Sequence, residues 1–152
     1  MSAAQVIDGD RKATVIDASI GIKLFVIEEG SEKVDRLFNL LTTDPPFDFF
    51  VPDLFYVECA NILWKYVRRF GYPAASAQQN IADLQLLALH SITTSELITD
   101  AFELALNLNL TAYDACYATL ARRLNVPFVT ADGILAKKLV SAGLNILTLE
   151  DL

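Results

Sequence analysis

The chain has 152 residues, 53% of them hydrophobic and 20% charged, with only 6 Gly and 5 Pro. This composition excludes a disordered, fibrous or linker-dominated polypeptide and predicts a single globular domain over 1–152, opening with a polar N-terminal extension at 1–12. Twelve Lys and Arg against 19 Asp and Glu leave a net charge of −7, which argues against sequence-independent DNA binding by phosphate neutralisation.

In chain order, Ala13–Ile16 reads as a short buried strand and Ser19–Val26 as an apolar helical segment, with Asp17 at the junction. Val34, Leu37, Phe38 and Leu41 at helical spacing predict a helix over Ser31–Leu41, broken by Thr42-Thr43-Asp44-Pro45-Pro46. Phe49–Val51 reads as a second strand, and Pro52-Asp53 opens a helix that runs to Phe70 and stops at Gly71. A further helix covers Pro73–Leu87, and Ser91-Ile92 is a short strand. Thr93 with Glu96 forms a capping box for a helix to Leu108. Thr111 with Asp114 opens the next helix, to Leu124, which Asn125 ends. Val126–Thr130 is a strand, Asp132 begins a helix through Val140, Gly143 turns the chain, and Ile146–Leu149 is the last strand. Short strands, apolar on both faces and alternating with helices, predict an α/β fold with three layers, α/β/α, around a mostly parallel sheet of about five strands.

No apolar run reaches the roughly 18 residues of a membrane helix, and the N-terminus lacks a basic stretch followed by an apolar one, so no membrane association and a cytoplasmic location are expected. The two cysteines, Cys59 and Cys116, fall inside apolar helical patterns, in neither zinc nor disulfide spacing. A mean hydropathy of +0.37 is high for so small a chain, so a partner or a second copy is expected to cover an apolar patch.

Four carboxylates stand apart: Asp17 after the first strand, Glu58 early in an apolar helix, Asp114 in a first turn, and Asp132 after another strand. Singly, Asp17 and Asp132 fit helix N-caps and Asp114 a capping box, each worth about 1 kcal/mol. Glu58 fits less well, because a lone carboxylate among Phe55, Val57, Cys59, Ile62 and Leu63 calls for a cation beside it. In a parallel sheet, strand C-termini and helix N-termini share one edge, so the four positions are expected to converge on one rim. Clustered carboxylates repel one another unless a divalent cation neutralises them. An oxygen-only set, with His90 the sole histidine, favours Mg2+ or Mn2+ over Zn2+. Such a site polarises a phosphate and activates a water, which points to phosphodiester hydrolysis.

The segments Val15-Ile16-Asp17-Ala18-Ser19 with Lys23 following, Pro52-Asp53-Leu54 leading into Glu58-Cys59-Ala60-Asn61-Ile62-Leu63, Tyr113-Asp114-Ala115 and Val129-Thr130-Ala131-Asp132 together resemble PIN-domain proteins. The likeness is strongest to VapC-type toxin ribonucleases of toxin–antitoxin pairs, and it covers nearly the whole chain. It implies an endoribonuclease with acids around one or two Mg2+ or Mn2+ ions, cutting RNA to leave a 5′-phosphate and a 3′-hydroxyl. It also implies a homodimer and a small antitoxin partner. Carried over, Asp17, Glu58 and Asp114 match the principal metal-ligand acids and Asp132 the more variable fourth. Ser19 and Thr130 match hydroxyl positions that orient a carboxylate or a water.

Asn61, three residues after Glu58, is placed to hydrogen-bond that carboxylate or approach substrate, and Lys23 is either a contact for an RNA phosphate or a residue of a solvated face. Arg68-Arg69, Arg122-Arg123 and Lys137-Lys138 fall toward helix C-termini, where cations complement the macrodipole, and are read as that. Phe55, Tyr56, Trp64 and Tyr66 read as core or dimer interface, and His90, with no evident acid partner, receives no role. A haloacid-dehalogenase-type phosphatase would need an Asp where Ser19 stands, and a response-regulator receiver an adjacent acid pair at Asp17; both are excluded. The remaining alternative is a non-catalytic PIN-like module that binds an antitoxin or other protein.

Overall fold

A computed structural model describes residues 12–152; the expected extension therefore lies almost wholly outside the described residues. Strands β1 (Ala13–Ile16), β2 (Asp48–Pro52), β3 (Leu89–Ile92), β4 (Phe128–Val129) and β5 (Ile146–Leu147) form one sheet in the order β3-β2-β1-β4-β5. Every adjacent pair is parallel. The helices are α1 (Ala18–Gly21), α2 (Ser31–Phe38), α3 (Leu54–Phe70), α4 (Ala74–Leu86), α5 (Thr94–Leu108), α6 (Ala112–Leu124) and α7 (Gly133–Ser141). The sheet lies between helical layers, as the alternation of apolar strands and helices predicts. Among the described residues no helix is long and apolar enough to cross a membrane.

Val15, Ile16, Phe49, Val51, Phe128 and Val129 are wholly buried, so the central strands are apolar on both faces because helices cover both faces. Phe38 meets Phe49 edge-on at 5.5 Å, and Tyr117 stacks on Phe128 at 5.6 Å between ring centres. Gly21 lets α1 lie against α3. A Cβ there would sit 2.7 Å from Cζ of the buried Phe55, closer than any relaxed packing allows.

The chain leaves β1 toward β2 and β3 on one side, then crosses back to β4 and β5 on the other. The order therefore reverses between β1 and β4. Crevices at such switch points, beyond the strand C-termini, are where open parallel sheets hold ligands. Asp17 follows β1 directly, and Thr130 to Asp132 follow β4.

Several expected elements are shorter than their apolar pattern. The segment expected as a helix over Ser19–Val26 is α1 followed by a 3-10 turn over Ile22–Leu24, and the helix over Ser31–Leu41 tightens into a 3-10 turn after Phe38. Asp53 opens α3, but its own carboxylate caps no amide of that helix. It accepts instead from the Thr94 amide at the start of α5 (3.0 Å), while the expected capping box of Thr93 and Glu96 does not form. His90, expected to be without an acid partner, lies 3.0 Å from Asp48 Oδ1 and stacks on Phe50, because β2 and β3 pair Phe50 directly with His90.

Candidate active site

Asp17 is the most enclosed of the four acids, 8% exposed at the end of β1. Its Oδ2 accepts hydrogen bonds from the Thr130 hydroxyl (2.7 Å) and the Ser19 hydroxyl (3.0 Å). Each hydroxyl is itself aimed from the other side. The Ala131 amide donates to Ser19 Oγ at 3.1 Å, and the Asp132 amide donates to Thr130 Oγ1 at 3.1 Å. The β4–α7 loop therefore orders the first acid as well as contributing its own. Burial holds the Asp17 carboxyl above its usual 3.8, with the two hydroxyls and nearby backbone amides pulling it part of the way back.

Glu58 enters from α3. Among the described residues no basic side chain forms an ion pair with it; the Tyr117 hydroxyl, from α6, donates to Glu58 Oε1 at 2.7 Å. Burial raises the Glu58 carboxyl above its usual 4.5, Tyr117 opposes that, and the charges of Asp17 and Asp114 push it further up. Asp114 stands in the first turn of α6, which Thr111 caps by accepting the Asp114 amide at 3.1 Å. Its carboxyl is also raised, first by burial, then by Asp17 and Asp132, with Thr111 and Lys138 acting the other way. These couplings place Asp17, Glu58, Asp114 and Asp132 in one electrostatic neighbourhood.

Asp132 is exposed, and its Oδ1 accepts the Ile134 and Leu135 amides (3.0 and 3.1 Å), so it is the N-cap of α7 as well as a rim acid. Asn61 is exposed and makes no hydrogen bond to Glu58; Tyr117 occupies that role. Lys23 pairs with Glu28 at 2.7 Å, beside Ser19 and Asp132. Three residues of this neighbourhood escape sequence reasoning. Tyr117 lies three positions after Asp114, one helical turn along the same face, a spacing that could have signalled it. Lys138, read as a cation at a helix end, lies beside Asp114 and Asp132 and donates to the Asn109 carbonyl at 2.9 Å. Glu28, distant in sequence from every acid motif, carried no such signal.

The donor chemistry fits a hard divalent cation: the convergent groups are carboxylates, neighbouring acids raise the Glu58 and Asp114 carboxyls, and the Lys138 ammonium offsets only part of this at Asp114. As the side chains stand, no three His, Cys, Asp or Glu among the described residues are grouped closely enough to hold a metal ion. Asp132 Oδ1 is engaged by its cap and Glu58 Oε1 by Tyr117, each through one carboxylate oxygen.

A family model for the PIN domain matches residues 14–138. Ribonuclease VapC3 of Pyrobaculum aerophilum is 35% identical over 128 residues, 82% of this chain and 92% of that protein. The crystal structure of PAE2754, also from Pyrobaculum aerophilum, matches with a TM-score of 0.68 at 22% identity, covering 93% of each chain. VapC20 of Mycobacterium tuberculosis, a sarcin–ricin loop cleaving toxin, matches at 0.63 with 18% identity over 86% of this chain and 95% of that one. VapBC2 of Rickettsia felis, bound to a promoter DNA fragment, matches at 0.61 with 17% identity, covering 90% and 98%. At these identities the solved structures establish a common fold.

Proposed function

The chain belongs to the PIN-domain family, and from that premise we propose that it is a divalent-metal-dependent endoribonuclease, the toxin of a toxin–antitoxin pair. The observation that carries this reading is the convergence of Asp17, Glu58 and Asp114, partly or wholly buried and mutually repelling, at the switch point of the sheet. Asp17, Glu58, Asp114 and Asp132 would hold Mg2+ or Mn2+. A bound divalent ion would neutralise them, polarise the scissile phosphate and make a water more acidic.

The chain's own residues do the positioning. Ser19 and Thr130 fix the Asp17 carboxylate, Tyr117 fixes Glu58, and the capped first turn of α6 presents Asp114. Asp114 or Asp132 orients the attacking water. Its oxygen bonds to phosphorus as the bond to the 3′ oxygen breaks, leaving a 5′-phosphate and a 3′-hydroxyl. A homodimer, a small antitoxin that covers the site, and a cytoplasmic location belong to the same reading. It is supported by the likeness to a VapC ribonuclease and by neighbours solved as toxin–antitoxin complexes. No contact in the structure favours the non-catalytic module.

The test is cleavage of cellular RNA by the purified chain with Mg2+ or Mn2+, beside Asp114→Asn, with the new ends sequenced. Metal-dependent cuts that carry 5′-phosphates and vanish in the variant are expected. Equal cutting by parent and variant would refute the assignment of the site.

A further inference from the structure

Next to the acids, sharing Ser19 and Asp132 with them, lies a feature whose Lys23, Glu28 and Tyr66 the proposed chemistry does not use. A pocket of about 360 Å3 opens between the 3-10 turn after α1, helix α3 and the β4–α7 loop, lined by Ile22, Lys23, Glu28, Ile62 and Tyr66 and bounded by Ser19 and Asp132. It is a shallow depression, open to solvent. Ile22 and Ile62 supply its apolar lining. Tyr66, one turn after Ile62 on α3, also lines it, with its ring 5.6 Å from that of Phe70 and 6.4 Å from that of Tyr72.

Its polar groups bond one another. Glu28 accepts from Lys23 on one carboxylate oxygen, at 2.7 Å, and from the Tyr66 hydroxyl on the other. The Lys23 and Glu28 side chains are only 10% and 24% exposed. Stability alone explains this poorly, since an exposed pair contributes about 0–1 kcal/mol and enclosing one adds a desolvation cost that an apolar pair would avoid. The ammonium has three donors and makes one hydrogen bond among the described residues; the carboxylate retains acceptor capacity beside it. Through Ser19, whose hydroxyl bonds Asp17, the pocket is one side chain away from the acids.

We propose that this pocket is a nucleotide subsite, in which a splayed base of single-stranded RNA next to the scissile phosphate stacks on Tyr66 and is read by Lys23 and Glu28. The inference rests on the ribonuclease reading above and names its substrate contact. Unpaired bases are recognised by stacking on aromatic rings and by hydrogen bonds to their edges. Adjacent ammonium and carboxylate groups fit an edge that presents a carbonyl and an amino group together. Guanine and cytosine have both; uracil offers a single ring N–H in place of the amino group, and adenine lacks the carbonyl. The paired charges also let an RNA strand approach a chain of net charge −7 without adding to its repulsion.

The experiment uses Asp114→Asn, outside this pocket, to capture RNA from a random single-stranded pool in Mg2+ buffer, followed by sequencing of the bound RNA. The same capture is run with Glu28→Gln and, separately, Tyr66→Phe added, each checked for folding by its melting curve. Enrichment of guanine or cytosine at one position by about fivefold or more is expected, falling toward background with Glu28→Gln. A flat base profile, or one unchanged by Glu28→Gln and Tyr66→Phe alike, overturns the subsite. A parent chain that cuts RNA beside a flat capture profile refutes the subsite alone. Capture that is enriched and sensitive to Glu28, beside a parent that never cuts, supports the subsite and removes the ribonuclease reading.

Discussion

Asp17 shows how one residue couples stability to chemistry. Burial raises the Asp17, Glu58 and Asp114 carboxyls above their ordinary 3.8, 4.5 and 3.8, and neighbouring acids push Glu58 and Asp114 up further. The folded chain then keeps protons that the unfolded chain has released, so the stability these groups contribute is complete below those ordinary values and is lost as pH rises through the raised folded ones. Asp17→Asn keeps an oxygen to accept from Thr130 and Ser19 but carries no charge. Without metal near neutral pH, its melting temperature is expected to exceed the parent's by about 2–4 °C, the shift of about 1 kcal/mol in a chain of this size. The advantage should shrink toward pH 3.8, and Mg2+ should stabilise the parent but not the variant. A variant that melts below the parent at neutral pH without metal would contradict the account. Tyr117→Phe probes the neighbouring acid: its ring keeps the stack on Phe128, but Glu58 loses its donor. A stability loss of about 1 kcal/mol is expected, and because the lost hydrogen bond favoured the charged carboxylate, the acidic limb of RNA cleavage should move to higher pH.

At the scale of elements, the site depends on α1 being held against α3. Gly21→Ala places a methyl 2.7 Å from Cζ of the wholly buried Phe55, so the ring or α1 must shift. A cost of about 1–3 kcal/mol is expected. Gly133→Ala, with nothing within 4 Å, should melt like the parent, and equal melting of both variants would refute the packing argument. The same elements show what the sequence makes legible. Apolar runs at strand or helix period locate all five strands and the long helices, and the acids at strand ends and first turns lead to one rim. Boundaries escape because hydrogen bonds, not hydrophobicity, set them. Val126–Thr130 is apolar enough for a strand, but the Val126 amide is taken by the Ala121 carbonyl and Pro127 has no amide, so the β4 ladder starts at Phe128. Thr148, expected inside β5, turns into a capping box with Asp151 instead. Within the site, the motifs specify acids; Tyr117 is marked only by its helical spacing from Asp114, and Glu28 owes its place to tertiary contacts with Lys23 and Tyr66 that no local pattern encodes.

For the whole molecule, the high mean hydropathy has a visible counterpart. Ile98, Phe102 and Leu106 follow one another at four-residue spacing along α5 and are 44%, 59% and 68% exposed, while Leu97, Ala101, Leu104 and Ala105 of the same helix are buried. The helix therefore buries one stripe in its own core and presents another to solvent, a pattern that fits an apolar contact between copies. Two chains of net charge −7 repel each other, so hydrophobic association between them is expected to strengthen as salt screens that repulsion. Sedimentation is thus expected to show a dimer whose dissociation constant falls between about 0.01 and 0.15 M salt, over which the Debye length shrinks from about 30 to 8 Å. Phe102→Lys places a charge in the middle of the stripe without touching the core, so it should yield monomers that melt independently of concentration. A Phe102→Lys chain that dimerises as tightly as the parent would show that association uses another face, and that the α5 stripe is left for a different protein to cover.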